Sequence, residues 1–216
     1  MTTVDFEPFL PPNMPKVYLN GALIRSGDGA VMQACQLQSE IWTLIGQITK
    51  QFPQVGCELF AEDRIYLYQA SPESMQHQQM SHCEFTDFAA FRKTDVLYKA
   101  NFTGQPDILR QVREVCAAML EHYAVASSTP TFLEVTQMQA NKGEALRLLK
   151  HKLHARRAYA IGDSGNDLSM LQAADFAFAP ANADAEILQC ADCVVGRNTE
   201  DAIAQAIAQI ECAAKQ

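Results

Sequence analysis

The sequence predicts an α/β protein of two textures: a doubly wound segment whose parallel sheet carries helices on both faces, and an inserted α+β segment of hairpins and helices. Three observations carry this. From Asn141 onward, short apolar strands and helices alternate closely, the pattern that parallel sheets produce. Between residues 23 and 137 the β-rich runs come in adjacent pairs, as antiparallel hairpins do. The chain has 216 residues, 48% hydrophobic and 19% charged, which is room for one large domain or two small ones that need no disulfide or metal staple.

Element by element, Lys16–Ile24 reads as a strand, and residues 23–36 as a hairpin turning at Ser26-Gly27-Asp28-Gly29. Leu37–Phe52 places Ile41, Leu44, Ile45 and Ile48 on one helical face. Cys57–Phe60 and Arg64–Tyr68 read as strands. The polar, Gln-rich stretch 71–84 reads as an exposed connection. Asp95–Phe102 alternates as a strand, Gln105–His122 has helical spacing, and Tyr123–Ser127 with Thr131–Thr136 form another β pair. Then come a helix at Lys142–Leu153, a strand at Ala158–Gly162, a helix at Asp167–Ala173 and a strand at Phe176–Ala179. A helix at Ala183–Cys190, a strand at Cys193–Val195 and a helix at Thr199–Ile210 close the chain. The expected domains are a discontinuous core of 1–22 with 138–216, and an insert of 23–137.

Charge narrows the partners. Seventeen basic against 25 acidic side chains leave a formal −8 with no Lys/Arg run, which argues against nucleic-acid and anionic-membrane partners. No apolar run approaches the roughly eighteen residues that cross a bilayer, and the first ten residues lack the charged and apolar regions of a secretory signal. Seven scattered cysteines read as reduced thiols in a cytoplasmic protein. Cys190 and Cys193 read as structural thiols, and His151 and His154, among Lys150, Lys152, Arg156 and Arg157, as cations at a helix C-terminus.

The chemistry concentrates in Ala158–Leu171. A strand stops at Gly162, a loop carries Asp163, Asn166 and Asp167, and a helix begins at once. Open α/β sheets place ligands at the carboxyl ends of their strands. Two carboxylates four residues apart across a Gly-rich turn can converge on one hard cation, and Mg²⁺ suits a site with few protein carboxylates. An N-cap would explain one such acid but not Gly-Asp-x-x-Asn-Asp as a unit. Lys142 stands in the first turn of a helix, where the dipole disfavours a cation; a phosphate partner would explain the placement.

Lys142-Gly-Glu-Ala-Leu, Gly162-Asp-Ser-Gly-Asn-Asp-Leu-Ser-Met-Leu, Asn182-Ala and Ala191-Asp-Cys-Val-Val resemble the later motifs of the haloacid dehalogenase-like (HAD) hydrolases, nearest the Cof-type phosphatases with an inserted α+β cap. Asn20-Gly21-Ala22 and its hairpin resemble the exit into that cap, and Thr131–Val135 the return. The resemblance implies a three-layer Rossmann-like core and a Mg²⁺-dependent phosphohydrolase acting on small, sugar-phosphate-like esters through an aspartyl-phosphate. It implies Lys142 and Asn166 as phosphate contacts, Asp163 and Asp167 as Mg²⁺ ligands, Asn20 and Asn182 as candidate rim positions, and a small phosphorylated metabolite as partner.

The family's first motif, Asp-x-Asp, and its second, a Ser/Thr after the next strand, are expected well upstream of the Asn-Gly-Ala strand. Only nineteen residues precede Asn20, and no Asp-x-Asp occurs in the chain. Val4-Asp5-Phe6-Glu7 is the one fragment of similar pattern; Asp5 is thus a weak nucleophile candidate, better read with Glu7 as a first-turn helix acid. The expectation is a truncated core lacking its first strands. Two functions follow: a phosphohydrolase shortened at its N-terminus, or a non-catalytic phosphate- or partner-binding module. A homo-oligomer that pairs exposed strand edges is a third expectation.

Overall fold

The protein is described by a computed structural model covering residues 13–81, 85–119 and 121–213. Asp5 and Glu7 lie outside the described residues. The chain divides into two compact units, Met1–Ala140 and Asn141–Gln216.

The first unit holds two sheets. β1 (Lys16–Tyr18), β2 (Leu23–Arg25) and β3 (Val31–Ala34) form a small antiparallel sheet. The strand expected to run unbroken over Lys16–Ile24 is interrupted. Leu19, Asn20 and Gly21 take φ of 52°, 59° and 101° in a 3-10 turn, which reverses the chain between β1 and β2. Left-handed backbone costs about 1–2 kcal/mol at a non-glycine residue, and two constraints hold it here: Leu19 is buried, and the Asn20 amide donates to the Glu134 carboxylate.

The larger sheet is six-stranded, in the order β6 (Phe85–Asp87), β5 (Ile65–Gln69), β4 (Gly56–Phe60), β7 (Lys99–Thr103), β9 (Phe132–Gln137), β8 (Tyr123–Thr129). Only the β5–β6 pair is parallel. Strand alternation sorts its residues onto two unlike faces. On one, Cys57, Leu59, Ala100, Phe102, Leu133 and Val135 meet the apolar stripes of α1 (Ile41–Gln51) and α3 (Pro106–Met119). On the other stand Glu58, Lys99, Asn101 and Glu134, all buried. Lys99 Nζ donates to Glu134 at 2.7 Å and lies 4.1 Å from the centroid of Phe60. His77 Nδ1 lies 2.9 Å from the Glu58 carboxylate.

That histidine belongs to α2 (Pro72–Met80), where the sequence suggested an exposed connection. The helix has no apolar stripe to betray it. It forms because Ser71 accepts from the Ser74 N–H at 3.1 Å, Ser74 Oγ accepts from the Ser71 N–H at 2.7 Å, and Pro72 sits at the first helical position. It docks through buried Ser74 and through His77 among Phe60, Phe85 and Phe132. β7 starts at Lys99 rather than Asp95, because Asp95 closes a turn by accepting from the Arg92 N–H at 2.8 Å and the Tyr66 hydroxyl at 2.8 Å.

The second unit is the doubly wound part. β10 (Tyr159–Ile161), β11 (Phe176–Pro180) and β12 (Cys193–Val195) form a parallel sheet in that order. Small Ala160, Ala177 and Ala179 admit α5 (Leu168–Ala173) and α6 (Ala185–Cys190) closely on one face, through Leu171 and Ile187. Phe176, Phe178 and Val195 face Ala202 and Ala206 of α7 (Ala202–Ala213) on the other. α7 begins three residues later than the sequence suggested, since Arg197–Glu200 closes a turn through the Glu200 N–H to the Arg197 carbonyl. α4 (Lys142–Lys152) lies against α5, its Leu146 on the alanine-lined core. All six described cysteines are free, and no described helix is long and apolar enough to cross a membrane.

Burial alone would push the Glu134 carboxyl up; the Lys99 ammonium and the Asn20 amide outweigh it and hold it below its usual value. The pair's contribution is therefore full above the ordinary carboxyl range and is lost as pH falls through the lowered value. Glu134→Gln should destabilise the first unit by about 3 kcal/mol at neutral pH, the lower end for a broken buried pair because the amide oxygen still accepts. Urea unfolding should show that deficit shrinking as the pH is lowered into the acid range.

Candidate functional site

Within the second unit, β10 delivers its chain to Gly162, where direction changes into the Asp163-Ser164 loop, a 3-10 turn at Gly165–Asp167 and then α5. The helix begins one residue after Asp167, so that residue stands at the turn rather than in the first α turn. Its carboxylate is the hub. Oδ2 accepts from the backbone N–H of Asp163 at 3.1 Å and of Ser164 at 3.3 Å, while Oδ1 accepts from Lys142 Nζ at 2.6 Å. Asp167 is only 6% exposed. Although Asp167 precedes α5, its side chain makes no cap bond to that helix; one oxygen closes a capping box with Ser164 on the 3-10 turn, and the other faces the lysine.

Two close approaches make this possible. A Cβ on Gly162 would sit 2.5 Å from Asp167 Cβ, so only glycine lets the carboxylate fold back under the loop. A Cβ on Gly143 would sit 2.3 Å from the Ser169 carbonyl oxygen; its absence lets α4 and α5 touch, with the Gly143 N–H donating to Ser169 Oγ at 3.1 Å. Asn141 caps α4 by accepting from the Glu144 N–H at 2.9 Å, which fixes Lys142 at the first helical position. The lysine thus points from a helix N-terminus at a buried carboxylate rather than into solvent.

Asp163 differs from its neighbour. It is exposed, its carbonyl accepts from the Asp184 N–H at 2.9 Å, and its carboxylate has no hydrogen bond or ion pair among the described residues. Asp163 and Asp167 border one cavity of about 580 Å³, with Gly162, Pro180, Ile203 and Ile207. Asn198 and Asp201 also line it; Asn198 follows the Cys193–Val195 strand, where the sequence allowed either a rim position or a plain turn, and Asp201 carried no signal in the sequence. Asn166 turns its Oδ1 to the Ser164 hydroxyl at 2.8 Å, which shapes the loop. Asn182 accepts from the Asn198 N–H at 2.8 Å and so braces the turn after β12. Asn20 lies in the first unit, on Glu134.

A cavity of about 590 Å³ in the first unit is lined by Arg64, Tyr66, Arg92, Asp95 and Tyr98 among others. It is marginally the larger, but Asp63 is bound to Arg64 at 2.7 Å and Asp95 to Tyr66, so the carboxylates there are engaged. Tyr66 is buried and Tyr68 meets Phe88 edge to face, which makes both parts of the sheet's packing. In the smaller cavity, by contrast, the Asp163 carboxylate has no partner among the described residues.

A strand-end carboxylate pair, a lysine on the inner one and two obligatory glycines agree with what the sequence profile shows: that of the haloacid dehalogenase-like hydrolases matches residues 3–207. The chain belongs to the haloacid dehalogenase-like hydrolases. Among curated relatives, YxeH of Bacillus subtilis is 34% identical over 129 residues, covering 56% of this chain and 48% of that protein. The 5-amino-6-(5-phospho-D-ribitylamino)uracil phosphatase YcsE of the same organism is 35% identical over 85 residues, covering 38% of this chain and 34% of that one. The chain thus spans about half the length of the first and a third of the second. A haloacid dehalogenase-like hydrolase structure from B. subtilis superposes with a TM-score of 0.80 at 22% identity, over 92% of this chain and 80% of that one, a likeness of fold.

In this haloacid dehalogenase-like chain, Gly162→Ala should force Asp167 or the loop to move. We expect a loss of about 1–3 kcal/mol, the usual cost of overpacking, in thermal unfolding of the second unit. An unchanged transition would mean that the loop is not held as described.

Proposed function

We propose that the protein is a Mg²⁺-dependent phosphohydrolase of small, sugar-phosphate-like esters, and that the second unit carries the phosphate- and metal-handling half of its site. The observation that supports this most is the shared Asp167 carboxylate: one oxygen is committed to the loop amides and the other to Lys142, beside an exposed and uncommitted Asp163. YcsE, whose name gives a phosphorylated ribityl substrate, supports the substrate class. The expected partner is a small phosphorylated metabolite in a cytoplasmic setting. The discontinuous core, residues 1–22 with 138–216, and the 23–137 cap belong to the same reading.

The donor set fits Mg²⁺. Two hard carboxylates, Asp163 and Asp167, border the cavity, and no group of three or more acidic, histidine or cysteine side chains gathers into a metal cage among the described residues. Mg²⁺ is bound this way, by one or two carboxylates with the remaining positions left to water and phosphate oxygen. When bound, it would neutralise charge on the transferring phosphoryl group. Asp163 would hold it directly and Asp167 through its outer oxygen. Lys142, released in part from Asp167 when a phosphate enters, would put its ammonium on the phosphate oxygens. Asn166 and Ser164 keep the loop closed beneath it.

A second reading is favoured by one observation: the 216 residues contain no Asp-x-Asp. On that reading the unit binds phosphate without turning it over. Titration calorimetry with inorganic phosphate should show binding that requires Mg²⁺. Asp163→Ala should weaken it at least about tenfold, the scale seen when a metal site loses one support. Lys142→Met should weaken phosphate but leave Mg²⁺ binding intact. Phosphate binding indifferent to Mg²⁺ and to both substitutions would contradict either reading, and hydrolysis of a generic phosphate ester separates the two.

A further inference from the structure

Two neighbouring residues of α4 are gripped from one short stretch at the start of α5. Asp167 Oδ1 accepts from the Lys142 ammonium at 2.6 Å, and two residues on, Ser169 Oγ accepts from the Gly143 N–H at 3.1 Å. The first bond holds a side chain; the second holds the backbone beside it. The Ser169 carbonyl bounds the same contact, since a Cβ on Gly143 would sit 2.3 Å from its oxygen. Hydroxyl and carbonyl of one half-buried serine thus both meet residue 143.

The helix needs such a fixture because little else sets how it sits. The buried residues of α4 are Gly143 and Ala145, too small to key its rotation by packing, and Leu146 adds a partly buried contact on the alanine-lined core. The Asn141 cap is local: its side chain accepts from the Glu144 N–H at 2.9 Å, which starts the helix without tying it to α5. The Gly143 N–H is one of the donors that a helix start leaves without an intrahelical partner, and its acceptor comes from α5. If that acceptor is removed, a buried donor goes unmatched, and the helix start must shift to satisfy it.

The two grips respond differently to a ligand. A phosphate oxygen competes with the Asp167 carboxylate for the Lys142 ammonium, so that grip loosens as the ligand enters. Ser169 is uncharged and bonds a backbone amide, so its grip persists. We propose that Ser169 is a positioning residue for Lys142: by holding the Gly143 N–H it keeps the lysine's backbone seated on α5. The ammonium then rests on Asp167 and reaches a phosphate without movement of the helix. The phosphate part rests on the function proposed above; the seating of the lysine does not.

The test uses the full chain, first without ligand. Acetic anhydride should label the Lys142 amine slowly in the wild type and several-fold faster in Ser169→Ala, with labelling of exposed Lys152 unchanged, read by peptide mass spectrometry. The wild-type Gly143 amide should resist hydrogen exchange, and should still do so at saturating inorganic phosphate. In titration calorimetry Ser169→Ala should weaken phosphate about tenfold, the scale at which an orienting partner acts, with Mg²⁺ affinity retained. In a Lys142→Met background the same change should cost phosphate nothing further, because Ser169 acts through the lysine. Circular dichroism checks that each variant is folded. A serine that only stabilises the fold would weaken Mg²⁺ and phosphate alike and in both backgrounds, and that result overturns the proposal. So does a rapidly exchanging Gly143 amide, or unchanged Lys142 labelling in folded Ser169→Ala. A wild type that binds no phosphate, with Lys142 labelling still faster in Ser169→Ala, overturns the phosphohydrolase reading and supports the seating of the lysine.

Discussion

Much of the second unit depends on one carboxylate. Asp167 is buried, so its charge must be matched where it stands, and it is matched from two directions by partners from separate elements. The loop amides tie it to the end of β10, and Lys142 ties it to the start of α4. Remove the charge and three things lose their reason at once: the fold-back under Gly162, the cation at a helix N-terminus, and the position of Asp163. Because both partners are preorganised, Asp163 is free to remain exposed and uncommitted. The unit therefore places one satisfied acid beside one available acid, an asymmetry that metal and phosphate chemistry can use.

The first unit solves a related problem on a sheet. Its apolar face needs only matching stripes, and α1 and α3 supply them. Its other face carries Glu58, Lys99, Asn101 and Glu134 out of water. Those groups are tolerable because they answer one another: Lys99 with Glu134, His77 and Asn101 with Glu58. The left-handed turn at Leu19–Gly21 is held by the same network, through Asn20. Asn101 Oδ1 stays without a described partner, which marks the place where this polar layer is least satisfied.

What the sequence revealed and what it hid divide along these lines. Periodicity exposed α1, α3 and the close alternation after Asn141, because apolar burial leaves a period in the chain. The Gly162-Asp-x-x-Asn-Asp loop and Lys142 were legible because acids at a strand end and a cation at a helix start are costly without a purpose. α2 was hidden, since its capping by Ser71 and Ser74 and its docking through His77 leave no apolar pattern; Ser71-Pro72 was the available signal. The break at Asn20 was hidden because Leu19 is an unusual left-handed residue, although Asn-Gly was on the page. Asp201 reaches the cavity from a turn far along the chain, which no local spacing reports; Asn198, just past the last strand, was readable as a rim position. Asn141 could have been found as a cap, three residues before Glu144.

The central claim is that the Asp167 carboxylate holds the loop as well as the lysine. Native-state hydrogen exchange in wild type and Asp167→Ala tests it most directly. The account predicts that the Asp163 and Ser164 amides are protected in the wild type and lose that protection in the variant, while amides of β11 stay protected. Equal protection of those two amides in both proteins would contradict it.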